Sequence, residues 1–222
     1  MSQHLIDLLG EGIRLPAAVT SFRGSMAVKR PLLESLFNVI RSARAHANEL
    51  EPVVAAHLDT KEGADSLFND PDKKRMIWEA AAERTLMTDS AAALILIVAA
   101  EYDRLFRTAN MPILARGAAS YVPHITVAEA VHNLANQYKH LANWRVDPTK
   151  GTKERRIVEA LVDDALREDA AAEFLHRGFT NYDELDAAIF SCVDGLVTDG
   201  TIPSTGRVGI PVITMRPKTS DK

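Results

Sequence analysis

Within residues 127–145, VAEAVHNLANQYKHLANWR, five side chains have the types and the spacing to do chemistry together: His132, Asn136, Lys139, His140 and Asn143. On a helix, steps of three and four bring Asn136, Lys139, His140 and Asn143 onto one patch, with His132 one turn before Asn136. Histidine is the side chain that exchanges protons near neutral pH, so His140 can serve as base or acid. Asn136 can orient its imidazole or a substrate oxygen. Lys139 brings a positive charge to a phosphate, and His132 and Asn143 extend the same surface toward a substrate. This set suits cleavage of RNA by its own 2′-hydroxyl. That reaction needs a base, an acid and a cation on the developing charge, and no metal or other cofactor.

The element that must position them is a helix. Val127, Val131, Leu134, Tyr138 and Leu141 recur at steps of four, three, four and three. That is the stripe of an amphipathic helix turned to a core, and it lies opposite the polar set. Trp144, one turn beyond His140, is placed to pack over the imidazole.

The run Leu134-Ala135-Asn136-Gln137-Tyr138-Lys139-His140 resembles the signature helix of HEPN proteins. These are all-helical domains common in prokaryotic toxin and antiviral systems. The family pattern is an arginine, usually a following polar residue such as asparagine, then a histidine a few residues later. Many active members are metal-independent ribonucleases whose site is built across a dimer interface. Asn136 matches the polar position and His140 the histidine. The arginine position falls on Ala135, so the family's guanidinium is missing. Lys139 is a compact point charge and not a planar fork. Arg104, Arg107 and Arg145 are the arginines whose arrival in three dimensions would repair the loss. The resemblance implies an RNA-directed homodimer, catalytic only if that charge is supplied.

A different chemistry is suggested by two Glu-x-x-His pairs, Glu129–His132 and Glu173–His176. In ferritin-like bundles two such pairs, with one glutamate from each of two further helices, hold two metal ions. Glu79, Glu83 or Glu101 can supply one carboxylate, but no separate helix between the pairs supplies the other. A third possibility is a non-catalytic interaction module. The alanines at 80–82 and 170–172 permit close helix approach and homodimerisation, or simple core filling.

The rest of the chain builds a bundle around this helix. Helix formers dominate from about residue 31 to 198, and strand alternation is scarce. Pro31 can begin the first long helix, with Leu33, Leu36, Phe37, Ile40 and Ala43 as its stripe, continuing to about His57 with a kink or break at Pro52. Asp70-Pro71 marks a turn or the start of the next, with Met76, Ile77, Ala80, Ala81 and Leu86 turned inward. Asp89 or Ser90 caps a third helix, reaching about Thr108. The segment 109–124, with Pro112, Gly117 and Pro123, is a loop or a broken short helix. After a polar turn at 147–152, one long helix runs from about Lys153 to Arg177, capped by Gly178. A last one starts at Asn181 or Asp183 and ends near Leu196. The expected fold is all-α, an up-and-down bundle of five or six helices with an irregular C-terminal arm. Residues 1–30 are expected to form a short helix, Leu5–Leu9, and a linker. Residues 31–198 form the bundle domain, and 199–222 an extended or partly disordered tail with Val208–Met215 as an edge strand or arm.

Composition narrows the classes. The 222 residues carry a formal charge of −4, which excludes a strongly basic nucleic-acid platform but not a local patch. Lys73–Arg75 and Lys153–Arg156 are short basic clusters that suit solvated helix starts. The single cysteine, Cys192, cannot form an internal disulfide and lies in an apolar run, as a small core residue does. The N-terminus lacks the pattern of a secretory signal. The longest apolar run, Ala91–Ala100, is too short on its own to span a bilayer. A cytoplasmic protein without a membrane partner is expected. P-loop, dinucleotide-binding, Cys-x-x-Cys and nucleophile-elbow motifs are absent.

Overall fold

Three prolines lie inside the first helix, α1 (Gln3–Leu58), and do not break it. In the computed structural model, α1 is continuous where the sequence suggested a short helix, a linker and a fresh start at Pro31. Pro16, Pro31 and Pro52 all sit on its exposed side. The backbone carbonyls freed one turn earlier, at Ala27 and Asn48, therefore belong to exposed residues and can reach water. An interior proline costs about 3 kcal/mol, whereas burying a large apolar side chain contributes roughly 1.5–3 kcal/mol. The inner face of α1 buries Phe22, Met26, Leu33, Phe37 and Ile40, so packing outweighs the prolines. Ala18, Val19, Phe22 and Met26 are core residues, which makes the supposed linker part of the bundle.

The structure describes residues 3–58, 69–109, 125–147 and 149–198, with side chains described for 15–56 of the first segment and 149–194 of the last. The expected 109–124 loop, apart from Ala109, and the expected C-terminal arm lie outside them. Among the described residues there are six helices and no strand, so the fold is an all-α helical bundle.

The second helix, α2 (Pro71–Thr108), starts where Asp70 caps it, its carboxylate accepting from the backbone N–H groups of Asp72 and Lys73. It does not restart at Asp89 or Ser90. Ser90, Ala91, Leu94, Ile95 and Val98 are buried in one unbroken rod. By length and composition this rod is apolar enough to cross a membrane, yet its apolar centre is the middle of the core. Its first half is looser. Ala80 and Met87 are buried, Met76 and Ile77 are half-buried, and Ala81 and Leu86 are exposed.

Cross-helix pairs set α1 and α2 antiparallel. Arg84 meets Glu51 and His46 meets Glu83 at one end, while Lys29 meets Glu101 and Arg104 meets Ser25 at the other. Four further helices close the bundle: α3 (Val127–Val146), α4 (Thr152–Val162), α5 (Ala170–Gly178) and α6 (Tyr182–Thr198). α6 runs back along α1, with Arg30 on Asp183 and Asp186 and Arg23 on Asp194. The Tyr102 ring stacks on Phe22 at 5.4 Å and on Phe106 at 6.1 Å, and its hydroxyl donates to the Ile189 carbonyl at 2.9 Å. This one side chain joins α1, α2 and α6.

The expected single helix over 153–177 is instead two. Asp163 takes a left-handed conformation (φ 70°) and closes α4. The following turn is fixed from α3. Gln137 Nε2 donates to the Arg167 carbonyl at 2.6 Å, and Arg145 donates to the Leu166 carbonyl at 3.0 Å. Tertiary acceptors and donors hold the break that local helix propensity opposes.

Candidate functional site: the outer face of α3

α3 begins with a capping box. The Thr126 hydroxyl accepts from Glu129 N–H, and the Glu129 carboxylate accepts from Thr126 N–H. Its N-terminal half is buried almost all round, with Val127, Ala128, Ala130, Val131, Leu134 and Ala135 in the core. The C-terminal half emerges from the bundle. Tyr138 is 46% exposed, so the expected core stripe stops short, and Leu141 is only half-buried. The helix is held beyond that point by Gln137, by Arg145 and by buried Trp144. The Trp144 indole stands so close to Gly151 that there is no room for a Cβ at that position.

At 100° per residue, His132, Asn136, Lys139, His140 and Asn143 fall within an arc of about 100°. The structure keeps this face open. Lys139, His140 and Asn143 are exposed, and His132 and Asn136 are half-buried. Asn136 Nδ2 donates to His132 Nε2 at 3.1 Å, which leaves the imidazole proton on Nδ1, facing Asp103 Oδ1 at 3.7 Å. Asn136 is therefore engaged with His132 and not with His140. Lys139 and His140 make no hydrogen bond or ion pair among the described residues.

The family's arginine position has a clear structural meaning here. Ala135 is 2% exposed and belongs to the hydrophobic core. A guanidinium at this position starts from a buried backbone site and not from the open face. The three other arginines are occupied. Arg104 holds Glu101 and Ser25, Arg107 donates to the Asp103 carbonyl, and Arg145 pairs with Glu168 and the Leu166 carbonyl. The described residues therefore assemble an imidazole, an ammonium and amides on this face, and each of the three arginines is hydrogen-bonded to another partner. Such a surface binds and orients a phosphate better than it stabilises charge developing on one.

The metal alternative is not assembled. Glu129 is committed to the α3 cap, and Glu173 lies in a cage of arginines. Among the described residues no group of three or more His, Cys, Asp and Glu side chains converges. Cys192 is fully buried, and burial pushes its thiol up to about 11, so it stays protonated at neutral pH.

That arginine cage went unnoticed in the sequence. Glu173 Oε1 accepts from Arg177 at 2.6 Å and Oε2 from Arg44 at 3.0 Å, with Arg167 at 3.8 Å. Burial alone pushes the carboxyl up, but the hydrogen bonds from Arg177 and Arg44 outweigh it and hold it below the usual range. A glutamate inside the apolar run AAAEFL was the available signal, since a buried carboxylate requires a partner. A second such cluster surrounds Glu101, nearly buried and held by Lys29 at 2.9 Å and by Arg104.

Comparison with protein-family models, with curated proteins and with solved structures finds no match.

Proposed function

We propose that the chain is a HEPN-like helical module that holds RNA, through its phosphates, on the outer face of α3 and has lost or never completed the ribonuclease site. The observation that carries this is the adjacency of an exposed ammonium, Lys139, and an exposed imidazole, His140, neither paired with an acid among the described residues. Asn143 continues the face and supplies an amide for sugar or base oxygens. The buried Ala135 removes the guanidinium that the family resemblance requires, so binding without cleavage is the expected behaviour. The single protonated thiol suits a reducing, cytoplasmic setting. Only the resemblance ties the module to toxin or antiviral systems.

The test is fluorescence anisotropy of the full chain with a labelled single-stranded RNA, in the presence of a chelator. Lys139→Ala and His140→Ala together are expected to weaken binding by about fivefold to tenfold and to flatten its salt dependence. Unchanged affinity in the double variant, or no binding by the unaltered chain, overturns the proposal. Any cleavage that survives His140→Ala places catalysis elsewhere.

A second reading has its own observation. The outer face of α1 repeats Gly24, Val28, Leu32, Ser35, Val39 and Ser42 at steps of three and four, with Val28 82% exposed and Leu32 53% exposed. α1 thus carries an apolar seam on each side, and among the described residues only the inner one is covered. The helix is about 84 Å long at 1.5 Å per residue. A second copy laid along it has the length to bury the roughly 800 Å² per partner of a stable interface. In that reading the chain is a homodimerising interaction module. Sedimentation of the chain against Val28→Glu/Leu32→Glu distinguishes the two: dimer lost with RNA affinity intact separates the seam from the α3 face.

A further inference from the structure

A cavity of about 90 Å³ lies between α1, the end of α5 and the α5–α6 connection. Its walls are Phe37, Ile40, Leu175 and Phe179, and its polar lining is Arg41, Arg44, His176 and Thr180. The four apolar side chains are buried, whereas Arg41, His176 and Thr180 are exposed, so the polar groups stand at the mouth and the hydrocarbon at the base. One water needs about 10–15 Å³ of such space, so several non-hydrogen atoms fit.

Of the two arginines at this mouth, Arg41 has no acidic partner among the described residues. Arg44 shares the Glu173 carboxylate with Arg177, and its own Nε is buried with no hydrogen-bond partner. A buried N–H without an acceptor is uncommon and costly. Arg41 donates to the neutral carbonyl of Thr180. The two guanidiniums therefore have donors to spare beside an apolar floor.

We infer that this cavity is a binding site for a small organic monocarboxylate, its carboxylate held at the mouth by Arg41 and Arg44 and its hydrocarbon body against Phe37, Ile40, Leu175 and Phe179. The planar guanidinium matches a carboxylate geometrically. Inorganic phosphate fits less well, because a doubly charged, strongly hydrated ion gains nothing from four apolar walls. The site is separate from the α3 face and does not depend on its role.

The test is calorimetric or NMR titration of the full chain with benzoate, with benzamide as its neutral counterpart and with inorganic phosphate. Benzoate is expected to bind saturably at one site, about tenfold or more tighter than benzamide. Arg41→Gln, at an exposed position that the fold tolerates, is expected to weaken benzoate by about tenfold. Thr180→Trp, which narrows the mouth from an exposed position, is expected to abolish binding, with thermal melting confirming that both variants are folded. Absence of saturable benzoate binding overturns the inference, as does equal binding of benzamide. Phosphate that competes with benzoate at equal affinity, or an Arg41→Gln variant that binds as the original does, also overturns it.

Discussion

Gly151 lies so close to Trp144 that a Cβ at 151 would stand 2.4 Å from the indole Nε1. The glycine also has φ +62°, a conformation that costs other residues roughly 1–2 kcal/mol. This contact seats the emergent end of α3 against the start of α4, and through it the polar face keeps its position. Gly151→Ala is expected to lower stability by roughly 2–5 kcal/mol, combining backbone strain with overpacking. Urea denaturation followed by tryptophan fluorescence checks this. A midpoint equal to that of the unaltered chain would show that the indole has another place to go.

Ala135→Arg restores the residue type that the HEPN pattern calls for, but at a site 2% exposed in the core. A guanidinium there is placed among apolar core side chains, and a buried charge without a partner costs several kcal/mol. The variant is expected to be unfolded or strongly destabilised, with no gain of RNA cleavage. A soluble, cooperatively melting variant that cleaves RNA would mean that α3 can rotate to bring position 135 to the surface.

Glu173 should make the bundle acid-sensitive. Burial opposes its ionisation, yet the hydrogen bonds from Arg177 and Arg44 leave its carboxyl below the usual range when folded. A depressed carboxyl contributes stability above its unfolded value, about 4.3 for glutamate, and loses it as pH falls through the folded value. Glu173→Gln is expected to cost roughly 3 kcal/mol at pH 7, since it leaves Arg44 and Arg177 without their shared acid. It should also flatten the acid limb of the stability profile. Parallel profiles for the two proteins below pH 5 would remove Glu173 from this role.

Glu129 has the opposite sign. Burial raises its carboxyl, and the hydrogen bonds from Thr126 only partly offset this. A raised carboxyl contributes stability that is complete below the unfolded value and declines as pH rises through the folded one. Glutamine keeps the capping box. Glu129→Gln is therefore expected to be at least as stable as the original at pH 7, with an advantage that shrinks toward acid pH. Thermal melts across pH 4–8 check it, and a variant destabilised at neutral pH would show that the charge itself supports the cap.

Much of the bundle was legible in periodicity. The α1 stripe, the Asp70-Pro71 start of α2, the Asn181 start of α6 and the open polar arc of α3 all follow from residue spacing and capping chemistry, which act over one or two turns. Asn181 does accept from Glu184 N–H at 3.0 Å, as a cap should. The sequence therefore determined the helical class and which side chains of α3 share a face.

Only the tertiary structure decided where helices end and what their charges meet. Pro16, Pro31 and Pro52 stay inside one helix because they face solvent while the opposite side buries the core. The 153–177 segment breaks at Asp163 because Gln137 and Arg145 hold the following carbonyls from another helix. Likewise Ala135 is known to be buried, and Glu173 to meet Arg44, 129 residues away, only once the helices are packed together, whereas its bond to Arg177 is a local pair one turn apart. Proline aside, local propensities differ by about a kcal/mol or less per residue, and even the cost of a proline is outweighed by the burial of several large side chains, so long-range burial and charge pairing settle these choices.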